Sequence, residues 1–377
     1  MSNIIVLGAG MVGSTMAIDL TKKHNVTLAD FSQKALEISV NKCNKLQTLQ
    51  IDVTNKIELE IKLQPFDLVI CAVPGFLGFQ TLKSIIEAKK NVVDISFFPE
   101  NSLELDELAK KNNVTAIVDC GVAPGMGNII LGHYNEKLKI TDFECLVGGL
   151  PKVKKWPFNY KAPFSPVDVI EEYTRPARYV ENGNVIIKDA LSDVELVDFK
   201  SFGTLESFNS DGLRSLIFTM PHIKNMKEKT LRYPGHVEYV QVLKQSGFFN
   251  TNPIKINGNE ISPLEFTSKI LFNEWKLGET EEELTVMKIS LKGMDSNNKS
   301  KTIIYHLHDE FCQETKTSSM ARTTGYTATA AANMFLDGLF KEKGVFPPEL
   351  IGCKKGVFEY ILNYLKERNV MYIKEEF

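Results

Sequence analysis

The chain has no paired-cysteine motif, no long block of basic residues, no apolar run of membrane-spanning length and no internal repeat. Its six cysteines (Cys43, Cys71, Cys120, Cys145, Cys312 and Cys353) are scattered, several of them inside apolar runs. They read as small buried side chains in a reducing compartment, which excludes a disulfide framework. A net charge of −3 with no basic block argues against a nucleic-acid partner. No basic-then-apolar leader precedes the first strand, so a cytoplasmic location without membrane contact is expected. GxSxG, P-loop and HExxH patterns are missing, which leaves hydrolase chemistry without support. His306 and His308 alternate in a strand and share a side, but no further ligand has matching spacing, and no metal is expected.

What the chain does have begins seven residues in, at Gly8-Ala9-Gly10-Met11-Val12-Gly13. An apolar run, Ile4 to Leu7, leads into it, and a helical stretch, Met11 to Lys23, leaves it. A second apolar run, Val26 to Ala29, ends on Asp30. Each part has a job in holding a dinucleotide. The first glycine permits the tight strand-to-helix turn, the second lets a pyrophosphate approach the backbone, and the third lets helix and strand pack. Phosphates then meet the free N–H groups of the helix start. A carboxylate at Asp30 accepts ribose hydroxyl bonds and repels an added phosphate, so NAD is expected in preference to NADP.

Strand and helix continue to alternate through the first third, which predicts an α/β fold with a Rossmann-type, doubly wound parallel sheet. Asp67 to Val73 is continuously apolar, as a strand buried on both faces would be. Strand ends of such a sheet point at the cofactor. Asp52, Val53, Ala72, Val73 and Pro74 are therefore expected cofactor contacts, with Ser96 and Asp119 close to the reacting groups. After about Gly125 the rhythm changes to hairpins with polar turns and to helices expected over Asp211–Phe218, Pro234–Gln245 and Ser262–Trp275. That predicts an inserted α+β substrate and dimerisation domain over 126–319. A small-residue helix over Thr323–Phe340 is expected to pack back on the first domain, which would then comprise 1–125 and about 320–377.

Several segments could carry chemistry. Asp119-Cys-Gly-Val-Ala-Pro-Gly125 is either a structural turn or part of the site. The proline- and aromatic-rich stretch around Tyr160 either walls a pocket or merely connects elements. Arg175, Arg214 and Arg232 suit two-point recognition of a carboxylate, although a lone Arg is more often in an ion pair.

These motifs resemble the saccharopine dehydrogenase superfamily, and within it the lysine 6-dehydrogenases. The matching stretches are the glycine fingerprint, Val93-Asp-Ile-Ser96, Asp119 to Gly125, Gly148-Gly-Leu-Pro151, Asn159-Tyr-Lys161, Phe164-Ser-Pro166, Glu172-Tyr-Thr-Arg-Pro176, Asp211-Gly-Leu-Arg214 and Lys229 to His236. Saccharopine reductases carry an acid where this chain has Ala123. The resemblance implies an NAD-dependent enzyme, assembled as a homodimer or larger, that oxidises the ε-amine of lysine to a semialdehyde. Asp119 and then His236 would be the proton acceptors, with Arg232, Arg175, Arg214, Tyr160 and Ser96 around the substrate. Two alternatives stay open: a dehydrogenase that makes or cleaves a secondary amine, of saccharopine or carboxynorspermidine type, and a dinucleotide-sensing protein without turnover.

Overall fold

The computed structural model describes the chain apart from residues 165, 201, 279 and 280. Six short strands alternate with helices in the first third: β1 (Asn3–Leu7), β2 (Asn25–Asp30), β3 (Gln47–Gln50), β4 (Leu68–Cys71), β5 (Asn91–Asp94) and β6 (Thr115–Ile117). All pair in parallel, in the order β6-β5-β4-β1-β2-β3. Every residue of β4 is buried, as its unbroken apolar run requires of a strand covered on both faces. The order reverses direction beside β1, so a crevice opens over the carboxyl ends of β1 and β4.

The second unit is a mixed sheet. Its strands are β7 (Lys139–Pro151), β8 (Ala177–Glu181), β9 (Asn184–Lys188), β10 (Glu195–Phe199), β11 (Gly203–Asn209) and β12 (Asn225–Arg232). The small hairpin β13 (Ile254–Ile256) and β14 (Asn259–Ile261) stands apart, and β15 (Glu283–Met294) and β16 (Ser300–Glu310) follow. β7 lies in the middle, parallel to β12 and antiparallel to β15. Polar turns at 181–184, 257–259 and 295–298 join paired strands, matching the hairpins expected in this stretch.

Two helices differ from expectation. Only Leu216–Thr219 is helical in the segment expected to span Asp211–Phe218. Arg214 there has φ of +46°, a left-handed conformation that no continuing helix admits. The long small-residue helix runs over Ser319–Leu336. It starts early because the Ser318 hydroxyl accepts the Ala321 N–H, and it stops short of Gly338, whose φ is +78°. Gly325 sits against Met16 and Val12, which lets this helix press on the helix Met11–Leu20.

The tail divides between the two units. β17 (Gly344–Phe346) extends the parallel sheet beside β6, but β18 (Tyr372–Glu376) pairs with β16 in the mixed sheet. The expectation that all of 320–377 belongs with the first domain therefore fails at its last strand. Between the two, Tyr364 and Arg368 bind the buried carboxylate of Asp19, which holds the tail to the first helix. No helix among the described residues is long and apolar enough to cross a membrane.

Candidate active site

A cavity of about 1180 Å³ lies between the two units, lined by the glycine loop at one end and by β12 at the other. At the loop, the glycines are dictated by contact. A Cβ on Gly8 would fall on the Ala72 carbonyl, and one on Gly13 on the Gly8 carbonyl. Around Gly10 a Cβ would meet nothing within 4 Å, because that position faces open space. Gly10 is the N-cap of the helix Met11–Leu20, with no side chain capping it and no acid in the first turn. The first N–H groups are thus left for an anion. A pyrophosphate fits this cradle.

Asp30 closes the loop from the end of β2. Its Oδ2 accepts the Ala9 N–H at 2.6 Å and its Oδ1 the Ser32 N–H at 2.7 Å. Gly8 to Gly13, Asp30, Ala72, Val73, Pro74 and Ser96 all line the cavity. Asp52 and Val53 do not. Asp52 instead accepts from the N–H and hydroxyl of Thr54, and Val53 packs against the apolar layer beneath the sheet.

At the other end the expected arginines part company. Arg214 does not line the cavity: its Nε donates to Asp119 Oδ1 at 2.9 Å and its Nη1 to the Phe98 carbonyl at 2.6 Å. It is the buried counter-ion of Asp119, tying the two units together, and it stands outside the cavity lining. Arg232 reaches the cavity wall with every nitrogen engaged. Nε donates to the Tyr173 hydroxyl, Nη1 to the Leu231 carbonyl, and Nη2 to Glu172 and the Tyr160 hydroxyl. Tyr160 lies behind it, with its ring face 4.4 Å from the guanidinium carbon. Arg175 is different. It pairs with Glu171 through Nη2, and its Nη1 is buried with no hydrogen-bond partner among the described residues. An orphaned guanidinium nitrogen in a cavity wall is a donor waiting for an acceptor.

His236 is corrected too. It is 1% exposed and absent from the cavity lining. The Phe158 carbonyl can only accept, so Nδ1 carries the proton, and Nε2 accepts the Tyr173 O–H at 2.9 Å. Burial and the nearby Arg232 push its pKa down to about 3. It stays neutral and fixes Tyr173, which in turn fixes Arg232. A proton acceptor for substrate it is not.

Among the acids, Asp119 lines the cavity with φ of +53° at the end of the segment that follows β6. Asp94 lies beneath, fully buried; its Oδ1 accepts the Ser96 N–H, its Oδ2 has no partner, and burial pushes its pKa up to about 7. The residue that sequence reasoning missed is Glu228. It lines the cavity from β12, is 5% exposed, and burial pushes its carboxyl up to about 8. The strand Asn-Met-Lys-Glu-Lys-Thr-Leu-Arg reads as a charged, solvated edge, and only its place between β11 and β7 buries it. Among the described residues no cluster of three or more groups could hold a metal; His306 faces Glu375 of β18, and His308 faces Glu310 of its own strand.

Two family models match. The one described as the saccharopine dehydrogenase NADP binding domain covers residues 4–117, and the one described as the saccharopine dehydrogenase C-terminal domain covers 121–370. The rat mitochondrial alpha-aminoadipic semialdehyde synthase is 23% identical over 98% of this chain and 47% of its own length. The chain thus spans about half the length of the first curated relatives it matches. The saccharopine dehydrogenase [NADP(+), L-glutamate-forming] of Saccharomyces cerevisiae is 23% identical over 99% of both chains, and the carboxyaminopropylagmatine dehydrogenase of Synechocystis is 23% identical over 93% and 92%. The apo structure of the yeast saccharopine dehydrogenase superposes with a TM-score of 0.81 over the whole of both chains at 20% identity, which speaks for the fold.

Proposed function

The chain belongs to the saccharopine dehydrogenase family, and from that premise we propose that it is an NAD-dependent dehydrogenase removing the ε-amine of lysine. The observation that carries this reading is the arginine count at the far end of the cavity. Arg214 binds Asp119 outside the cavity lining, Arg232 is held by Glu172 and Arg178 by Asp211, which leaves Nη1 of Arg175 as a buried cavity-wall arginine nitrogen with no partner among the described residues, a donor for a substrate carboxylate. Lysine brings one carboxylate. Saccharopine brings three, and Ala123 adds no polar group to receive them.

On this reading Arg175 grips the α-carboxylate and Asp119, steadied by Arg214, faces the ammonium. A bound nicotinamide would supply the acceptor for a hydride from the substrate ε-carbon. The amine must be neutral first, so a carboxylate has to take its proton. Water then adds to the substrate imine, ammonia leaves, and the semialdehyde closes on its own α-amine. The Asp30 carboxylate, held by Ala9 and Ser32 at the loop, supports NAD over NADP, because a 2′-phosphate there would meet a fixed negative charge.

A second reading, a dehydrogenase of secondary amines, is favoured by the two relatives whose names specify such enzymes and whose whole lengths align. The test is a panel of lysine, ornithine, saccharopine and carboxyalkyl amines, each with NAD and with NADP. Lysine with NAD is expected to give the highest kcat/KM. Turnover confined to saccharopine, or equal rates with NADP, would overturn the respective part.

A further inference from the structure

We propose that Glu228 is the group that takes the proton from the substrate ammonium, an assignment that rests on the lysine reading above. The geometry starts from strand periodicity. Glu228, Thr230 and Arg232 occupy alternate positions of β12, so all three face one way, and all three line the cavity. Their Cα atoms span about 13 Å, at ~3.3 Å per residue. The row runs from an acid at one end to the Arg232–Glu172 pair at the other, with Arg175 close to the same Glu172. Lysine is shorter than this row of Cα atoms, but Glu172 acts on Glu228 directly, so a substrate whose carboxylate meets Arg175 beside Glu172 brings its amine to Glu228.

The carboxyl is built into its place. A Cβ on Gly212 would overlap it, so the loop backbone presses directly on one side. Cys145 of β7, the register partner of Glu228, flanks it, and the Tyr179 hydroxyl donates to its main-chain carbonyl. Glu172, Asp211 and Arg214 are the charged groups that face it from the neighbouring helix and loop. Asp119, Glu171, Glu172 and Asp211 each hold an arginine, whereas Glu228 forms no ion pair among the described residues.

In the empty site the carboxyl is protonated at neutral pH, since burial holds its pKa near 8. An entering ammonium favours the charged form. The carboxylate then takes one N–H proton, the bonding pair stays on nitrogen as its lone pair, and Glu228 ends neutral beside a neutral amine. The chemistry costs no other reagent.

The test uses lysine with the whole enzyme, as a pH profile of kcat/KM for wild type, Glu228→Gln and Glu228→Asp, with NAD affinity measured alongside. Wild type is expected to rise to a plateau above about pH 8. Glu228→Gln should lose ~100-fold or more in kcat at pH 9, lose the rising limb and keep its NAD affinity, and Glu228→Asp should recover part of the rate. Calorimetry on wild type, binding lysine in the presence of NADH in buffers of different ionisation enthalpy, needs no variant. It should show about one proton released at pH 7 and none at pH 9.5. A Glu228→Gln enzyme within threefold of wild type with its limb intact, or no proton release at pH 7, would overturn the assignment. A wild type inert to lysine would instead overturn the reading beneath it.

Discussion

Replacing Arg214 with Ala separates its structural role from a substrate-binding one. The Asp119 carboxylate is 3% exposed and its counter-ion 5% exposed, with Nε to Oδ1 at 2.9 Å. The same guanidinium donates to the Phe98 carbonyl and lies over the rings of Phe97 and Phe98 at 4.8 and 5.5 Å. Asp119 and Phe98 belong to the first unit and Arg214 to the second, so one side chain closes the joint. Removing it strands a buried carboxylate, which costs about 3–5 kcal/mol by the usual penalty for breaking a buried pair from one side. Urea unfolding with and without saturating NAD reads the loss. The double variant Asp119→Asn with Arg214→Ala should lose less than Arg214→Ala alone, because no charge is then left bare. An Arg214→Ala protein within about 1 kcal/mol of wild type, with a KM for lysine raised tenfold or more, would refute the reasoning and return Arg214 to the substrate.

Further expectations follow from the same geometry. Arg175→Gln should raise KM for lysine by about 10- to 100-fold, the worth of one charge-assisted hydrogen bond, with NAD affinity unchanged; initial rates check both. Gly13→Ala should abolish NAD binding in a fluorescence titration, since its Cβ would fall on the Gly8 carbonyl and force the loop open. Stability of the ligand-free protein should fall as pH rises from about 4.5 to 8. Glu228 and Glu283 have pKa values raised by burial from 4.5 to about 8, so across that window the native state keeps protons that the unfolded chain has released. The penalty is absent below the window and complete above it. Urea midpoints from pH 5 to 9 check the sign, and Glu283→Gln should flatten the curve.

The first unit was legible because its signals are local. The turn, the helix start and the terminal acid of the glycine loop lie within thirty residues, and each is required by steric contact that any reader of backbone chemistry can anticipate. What escaped was pairing across distance. Arg214 looked like a free carboxylate ligand because its partner is 95 residues away. His236 looked like a base because nothing nearby in sequence announces the Tyr173 and Phe158 contacts that enclose it. Asp52 was placed by topology at the cofactor, yet the local turn to Thr54 takes its oxygens. Glu228 was hidden for the opposite reason: a lysine on each side makes its strand read as a wet edge. A signal was present all the same, since Glu228, Thr230 and Arg232 form a polar period-two row, which marks a strand face turned to a site when the strand is central.

The most direct test of the account is stoichiometry with lysine as the only amino substrate. Purified enzyme, lysine and NAD should yield one NADH and one ammonia per lysine consumed, with no keto acid or aldehyde added. NADH formation only from saccharopine or another secondary amine, without ammonia, would contradict it.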